Sequence, residues 1–502
     1  MSSSRTEQAN HGQNRKATIV ATIIVVGFVM AAFYHYFMGT YLGLGYPFNT
    51  FLFAPGDRFN DFYNNYRQIT LTGKGVFLPE HGLSNYLFFL PSLFSFHSQA
   101  LAYVFYAGTF LVYLLFYNYR NFRKIRPADG RDVGTIRDTF IFTFMTYPVL
   151  FVIDRGNQEM YIFIMLSLSM FFYYREKHLL SALLLGLAVH IKMYFAVFLL
   201  LYLADKKYRE IRIVVYLFII LPFLASVTDG WLFPAVQFSD STFAFLKTAA
   251  SSGNWYNTLY VLHDDGAAYC SSLYGAFKAI LYFLFPHIQG GSLPVYRLFR
   301  TYFPLSLFFA GIVALYILLL EKVAWRRVTL ATLSLILFPF VTADYRLIML
   351  FIPLWMFINA KERSPHDALY AALFGLLLIP KDFFIIRRSI SVSVIINPLL
   401  ITTFMIFLVR EGFGAWVGQN GEKWLKLKTL SWRDISHLGE VWKTVKAPGV
   451  AGDTVSSEID PSERKVVVAD ITDDGEKTGD DRRRDLRVQQ KQFNENRQQD
   501  QT

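Results

Sequence analysis

An all-α fold, a polytopic transmembrane helix bundle, is what this 502-residue chain predicts, and three observations predict it. Apolar blocks of about 15–25 residues recur from residue 17 to residue 409, the length that a helix needs to cross a bilayer. Charged residues make up 17% of the chain against 53% hydrophobic, too few to solvate a water-soluble protein of this size. Phe and Tyr are abundant and crowd the ends of the apolar blocks, where amphipathic rings settle at headgroup level. Counting blocks gives roughly 11–13 spans, joined by amphipathic loops on the outer face. The single cysteine, Cys270, excludes an internal disulfide and argues against a cysteine-based metal site. The formal charge of +11 fits loops facing anionic lipid better than a nucleic-acid partner.

Residues 1–16 carry Arg5, Arg15 and Lys16 and form a cytoplasmic N-terminal segment by the positive-inside bias. No A-x-A cleavage site precedes the block at 17–40, so that block is a retained anchor. The chain then runs outside through the acidic first loop, 41–97. A span near 98–117 returns to a basic loop holding Arg120, Arg123, Lys124, Arg126, Arg131 and Arg137. Residues 138–153 go out, DRGNQE (154–159) turns, and 160–174 come back. The 26 residues between REKH (175–178) and DKKYREIR (205–212) are too few for two full spans, and they predict two short helices or a re-entrant hairpin with Lys192 near its tip. Residues 211–228 go out to a long outer segment, 229–300, in which SLYGAFKAILYFLF lies along or dips into the membrane. Spans near 301–320, 328–343, 346–359, 367–380 and 391–409 complete a transmembrane domain over 17–410. Lys381, Arg387 and Arg388 fall outside under this scheme, against the charge rule. Residues 411–448 read as a basic amphipathic cytoplasmic segment. Residues 449–502 are polar and charged and read as a disordered tail.

Several polar groups stand where a bundle alone does not need them. Asp57 and Asp61 lie four apart in DRFND and share a face if that stretch is helical. A carboxylate there suits a general base, and a solvated loop paired to Arg58 or Arg67 is the other reading. The turn DRGNQE packs two acids, an Arg and two amides together, more than a hairpin requires; Arg155, Asn157 and Gln158 are candidates to hold a sugar or phosphate, with Glu159 a further substrate-binding candidate. Lys192 interrupts a wholly apolar segment, where a lysine costs roughly 2.5–3.5 kcal/mol on insertion scales, so it lines a polar cavity, binds an anion or snorkels. His190 beside it is a hydrogen-bonder or a ligand. In TADYRLI, Arg346 suits a phosphate and Asp344 or Tyr345 a sugar, or Asp344 and Arg346 form a local ion pair. Asn254, Trp255, Tyr256, His263, Asp264 and Asp265 have the mix of a carbohydrate contact or of an ordinary loop. No G-x-G-x-x-G after a strand and no Walker loop is present, which disfavours nucleotide chemistry of those kinds.

These pieces, in order, resemble the GT-C class of membrane glycosyltransferases, nearest to the polyprenol-phosphate-mannose-dependent mannosyltransferase-like group. DFYNNYRQITLTGKG (61–75) with NYLFFLPSLFSF (85–96) resembles the opening pattern of that class. GNQEMYIFIMLSLSMFF (156–172) resembles its polar turn entering a helix, and LLSALLLGLAVHIKMYFAVFLLLYLADKKYREI (179–211) its G-L-A-x-x-x-K segment. FPFVTADYRLIMLFIPLW (338–355) resembles its late motif loosely. The resemblance covers residues 17–410. It implies Asp61 as catalytic base, with the doubled acid DRFND leaving Asp57 as the alternative or a supporting acid, and Lys192 at the donor phosphate. It places Asn157 and Gln158 in the polar turn beside the active site. Arg58 and Arg346 are further candidates for the phosphate, and Glu159, His190 and Tyr345 for the substrate. Lys192-Met193 lacks the Pro of the family turn, and ADYRL replaces its late Trp/His motif. The implied function is inverting sugar transfer from a polyprenyl-phosphate-linked donor to a hydroxyl of a lipid-linked or cell-envelope glycan. The reaction would run on the extracytoplasmic face of a cell (inner) membrane, with no cofactor and little or no metal dependence. The partners are that donor, a glycan or lipid-linked acceptor and the bilayer, with no nucleic acid. The rivals are a secondary transporter or lipid-linked glycan flippase, which usually shows inverted repeats not visible here, and a polysaccharide polymerase or ligase.

Overall fold

The computed structural model describes residues 2–70, 87–88, 90–91, 93–95, 98–126, 133–232, 257–263, 269–362, 364–384 and 390–429. Two units divide the chain, Met1–Lys426 and Leu427–Thr502; of the second, only 427–429, the end of the last helix, are described. The expected disordered tail, the loop 71–86, Asn254, Trp255, Tyr256, Asp264, Asp265, Arg387 and Arg388 lie outside the described residues.

The first unit is an all-helical, polytopic bundle. Its helices are α1 (Ser2–Thr40), α2 (Asn60–Thr70), α3 (Gln99–Ile125), α4 (Val133–Phe144), α5 (Tyr147–Arg155), α6 (Glu159–Tyr173), α7 (His178–Ile191), α8 (Leu199–Ala204) and α9 (Tyr208–Leu232). There follow α10 (Leu273–Leu284), α11 (Leu293–Leu319), α12 (Ala324–Leu337), α13 (Phe351–Asn359), α14 (Asp367–Leu378) and α15 (Ser393–Thr429). Among the described residues, α3, α11, residues 12–40 of α1 and residues 393–418 of α15 are long and apolar enough to cross a membrane. The pair α4–α5, bent by 50°, makes one broken span more. Several remaining apolar helices are shorter, so this bundle contains half-helices as well as rods.

The apolar face of each helix has two fates. Leu114, Phe142, Phe163, Leu185, Phe351 and Phe374 are fully buried in one continuous core. Phe33, Val112, Phe308 and Leu319 stay on the outside, where lipid rather than water meets them. Small residues bring backbones together, as they do where lipid supplies no hydrophobic drive between helices. Gly375 of α14 sits against Ile23 of α1, and Gly186 of α7 against Leu217 of α9. Polar side chains tie the bundle too: Trp355 Nε1 donates to Asn118 Oδ1 at 2.9 Å, and Asn118 Nδ2 to Thr143 Oγ1 at 3.0 Å.

Helix breaks position the site. Gly156 ends α5 in the left-handed region, φ +68°, and its N–H bonds Val152 O while that of Asn157 reaches the same carbonyl. A Cβ on Gly156 would lie 2.6 Å from Phe62 Cβ, so only glycine fits. Asn157 Oδ1 then accepts from the Glu159 N–H at 3.1 Å and caps the start of α6. α7 stops at Ile191; Lys192 is extended (φ −143°, ψ 107°), and a 3-10 turn, Met193–Phe198, leads into α8. Two short helices broken at Lys192 are what the spacing there predicts. A second 3-10 turn, Asp344–Leu350, enters α13 and packs against α5.

One expectation is corrected. Asp57 and Asp61 do not share a helical face: Asp57 closes a 3-10 turn, Pro55–Asp57, Arg58 is extended, Phe59 is left-handed, and α2 starts only at Asn60. The backbone break at Arg58 and Phe59 separates the two carboxylates despite their i,i+4 spacing. Lys381 is buried, and its Nζ donates to Leu376 O and Ile379 O at 2.7 and 2.8 Å, the free carbonyls at the end of α14.

Candidate active site

A chain of hydrogen bonds and ion pairs joins the start of α2, the α5–α6 turn, the break at Lys192 and the turn at Asp344–Leu350. Asp61 stands in the first turn of α2 with a quarter of its side chain exposed. Arg155 pairs with its Oδ1, and Asn157 Nδ2 donates to its Oδ2 at 2.7 Å. The Arg155 guanidinium lies over the Phe53 ring, 4.2 Å from its centre, which fixes the partner that holds Asp61. A carboxylate retains lone pairs beyond the two that these donors use.

Asn157 passes the chain onward, its Oδ1 accepting from Lys192 Nζ at 3.2 Å. Lys192 also pairs with Glu159 Oε1 at 2.9 Å. Glu159 has no exposed side-chain surface. The same oxygen accepts from Tyr194 Oη at 2.5 Å and faces Arg346 Nε at 3.5 Å. Arg346 stacks on Tyr194, 3.9 Å from the ring centre, and Lys192 lies 5.7 Å from the centre of Tyr345. Among the described residues, Arg155, Lys192 and Arg346 thus meet two carboxylates, Asp61 and Glu159. Glu159 Oε2 and Gln158 Oε1 are buried there without a hydrogen-bond partner.

Of the residues singled out in the sequence, Asp61, Asn157, Glu159, Lys192 and Arg346 come together in this chain, with Tyr345 beside Lys192. Gln158 stands next to them at the start of α6, without a side-chain capping bond. Asp57 is exposed, and only its backbone carbonyl reaches the cluster, through Arg155 Nη1 at 3.4 Å. Arg58 pairs with Asp154 Oδ1 at 3.4 Å and is nearly half exposed, away from Glu159 and Lys192. His190 sits in the last turn of α7 and is not one of the groups on Glu159. Asp344 turns away from Arg346: Ser271 Oγ and Asn397 Nδ2 hold its Oδ1, so the local ion pair is not what forms. His263 packs against Gly291.

One member of the cluster, Tyr194, escapes sequence reasoning. Arg155 is one of six polar residues in a row, which is a signal for the turn but not for its pairing with Asp61. Tyr194 is one tyrosine among 30, and nothing in its neighbours marks it. Asp154, from the same turn, is structural: its Oδ2 accepts from the Phe53 N–H at 2.9 Å and its carbonyl from the Phe59 N–H at 2.6 Å. Among the described residues, no three His, Cys, Asp or Glu side chains converge as a metal ligand set.

No curated protein and no solved structure matches the chain. The family model described as "Glycosyltransferase family 87" matches residues 83–339, which is just over half of the chain and includes Arg155, Asn157, Glu159, Lys192 and Tyr194. A match of that extent decides for glycosyl transfer over transport, and the chain belongs to glycosyltransferase family 87, a membrane-embedded glycosyltransferase of the GT-C type.

Proposed function

We propose that this glycosyltransferase takes its sugar from a polyprenyl-phosphate-linked donor and passes it, with inversion, to a hydroxyl of a lipid-linked or cell-envelope glycan. The observation that carries this reading is the pair of cations joined to the Asp61 chain: Lys192 and Arg346 both reach Glu159 Oε1. The donor is a phosphodiester with one negative charge, which two cations side by side can receive. In the reaction the acceptor O–H gives its proton to Asp61. Its oxygen bonds the anomeric carbon, and the bond from that carbon to the phosphate oxygen breaks. The departing phosphomonoester gains a second negative charge, so Lys192 and Arg346 stabilise the transition state more than the ground state. An apolar groove of about 710 Å³ begins at Tyr194 and runs between Leu203, Leu307 and Leu335. It fits an isoprenoid chain whose phosphate lies at Lys192 and Arg346. Arg120, Lys124, Arg175 and Lys361 lie toward the opposite end of the bundle, and by the positive-inside rule that supports an extracytoplasmic site in a cell membrane.

The test is transfer by the purified protein in lipid nanodiscs from a panel of polyprenyl-phosphate sugars, with nucleotide sugars in parallel. Transfer from a polyprenyl-phosphate sugar is expected, with Lys192→Ala lowering donor kcat/KM at least tenfold on a folded protein. Transfer from nucleotide sugars alone, or unchanged donor kinetics in Lys192→Ala, would sink the reading.

A further inference from the structure

At the other end of α6 lies a cavity of about 520 Å³, enclosed by α3, α6, α12 and α13. Helix α6 has 15 residues, so its two ends stand about 22 Å apart at 1.5 Å per residue, and this cavity is separate from the Asp61–Glu159 cluster. Its lining is of two kinds. Arg120, Lys124, Arg175 and Lys361 are four cations against one carboxylate, Glu362. Among the described residues none of the four forms an ion pair. Arg120 and Arg175 both lie over the Phe171 ring, at 4.6 and 4.5 Å, which gathers two like charges on one aromatic side chain. The rest of the wall is mainly aromatic and aliphatic, Tyr117, Trp325 and Trp355 among it, with Asn121, Ser167 and Asn359 between them.

A small soluble anion would answer the cations and leave the aromatic wall wet. A neutral apolar molecule would fill the wall and leave the cations without a counter-charge. A molecule with an anionic head and an apolar tail answers both. Phe116 and Tyr174, at the edge of the cavity, are exposed, and a helix surface of that kind faces lipid. A basic pocket between helices at the positively charged side of a membrane protein is where an acidic phospholipid headgroup binds.

We propose that this cavity is a binding site for an anionic phospholipid of the leaflet on the basic side. The phosphate lies among Arg120, Lys124 and Arg175, and an acyl chain passes Phe116 into the bilayer.

The experiment is native mass spectrometry of the full-length protein released from nanodiscs of mixed phosphatidylglycerol and phosphatidylcholine. The expected result is one retained phosphatidylglycerol. The double substitution Arg120→Gln/Arg175→Gln should weaken its retention about 30-fold, the roughly fivefold worth of one cation at an anionic surface taken twice. Arg120→Lys/Arg175→Lys keeps the charge and should keep the lipid. Equal retention of phosphatidylcholine by the unaltered protein overturns the site without reference to any variant. Unchanged retention in the glutamine variant, or loss in the lysine variant, also overturns it. Displacement of the lipid by inorganic phosphate alone would make the cavity a site for free anion instead.

Discussion

Asp61 is a carboxylate held in place at both oxygens and still partly open to water, while Asp57, four residues earlier, is exposed and takes a hydrogen bond from Arg155 on its backbone carbonyl. In the proposed mechanism that difference makes Asp61 the general base and Asp57 dispensable. A base removed from its position costs about 10²–10⁴-fold in rate. Asp61→Asn is therefore expected to lower kcat by that range while the melting temperature stays near that of the unaltered protein. Asn keeps an acceptor for Arg155 but loses the charge that takes the proton. Asp57→Asn is expected to remain within a few-fold of full activity. Both variants are read in one transfer assay, and a dead Asp57→Asn beside an active Asp61→Asn would reverse the roles. At this scale the sequence was informative where a polar residue stood against its surroundings. Lys192 in an apolar run and the dense turn 154–159 announced themselves; Tyr194, an ordinary aromatic in an aromatic-rich chain, did not. Arg58 looked as good a phosphate ligand as Arg346, because which arginine turns toward Glu159 is decided by the fold around it.

The elements that matter most here are breaks, not helices. α5 ends and α6 begins within four residues, and that reversal places Arg155 toward Asp61 and Asn157 toward Lys192. Gly156 makes the reversal, since φ +68° and the contact with Phe62 both exclude a side chain. Gly156→Ala is expected to destabilise the protein by about 1–3 kcal/mol through strained backbone. It should also lower activity, because α2 must move to admit the new methyl group. Thermal unfolding in detergent together with the transfer assay checks this, and a variant with unaltered melting and activity would show that the turn has slack. Helix breaks were partly legible. The 26-residue gap could not hold two full spans, so a break near Lys192 followed from length alone. The bend between α4 and α5 was not drawn from the apolar block 138–153, although Pro148, in the first turn of α5, marks the break after Met145-Thr146.

On the scale of the whole molecule, the late segments close over buried polar groups far apart in sequence. Asp382 is fully buried between the ends of α14 and α15, and its Oδ1 accepts from Ser391 and Ser393 at 2.7 and 2.8 Å. Burial, reinforced by nearby Asp344, pushes its carboxyl up to about 7. Between the unfolded value, about 3.9, and about 7 the folded chain keeps a proton that the unfolded chain has lost, so stability falls as pH rises through that window. Lys381 beside it, lowered by burial to about 8, stays charged over the same window and adds no slope. Asp382→Asn keeps an acceptor for both serines and removes the titration. Its melting temperature is expected to fall less than that of the unaltered protein between about pH 5 and about pH 7.5. Parallel curves would assign the slope to other groups.

The same scale decides which way the molecule sits in its membrane. The basic ends of α3, α6 and α12 and the Asp61 cluster lie toward opposite ends of the bundle, so one orientation fixes both the reaction side and the lipid leaflet at the second cavity. The charge rule puts the basic end in the cytoplasm. Cys270, the one cysteine, is buried, so an added cysteine reports on its own position. Asn64 on α2 and Lys361 after α13 are both exposed. In intact cells, a membrane-impermeant maleimide is expected to label Asn64→Cys and to spare Lys361→Cys until the cells are opened. The reverse pattern would place Asp61 in the cytoplasm. Sugar transfer would then run on the other face, and a donor presented from outside could not be used. Labelling of both in intact cells would mean that one of the two helix ends does not lie where the bundle puts it.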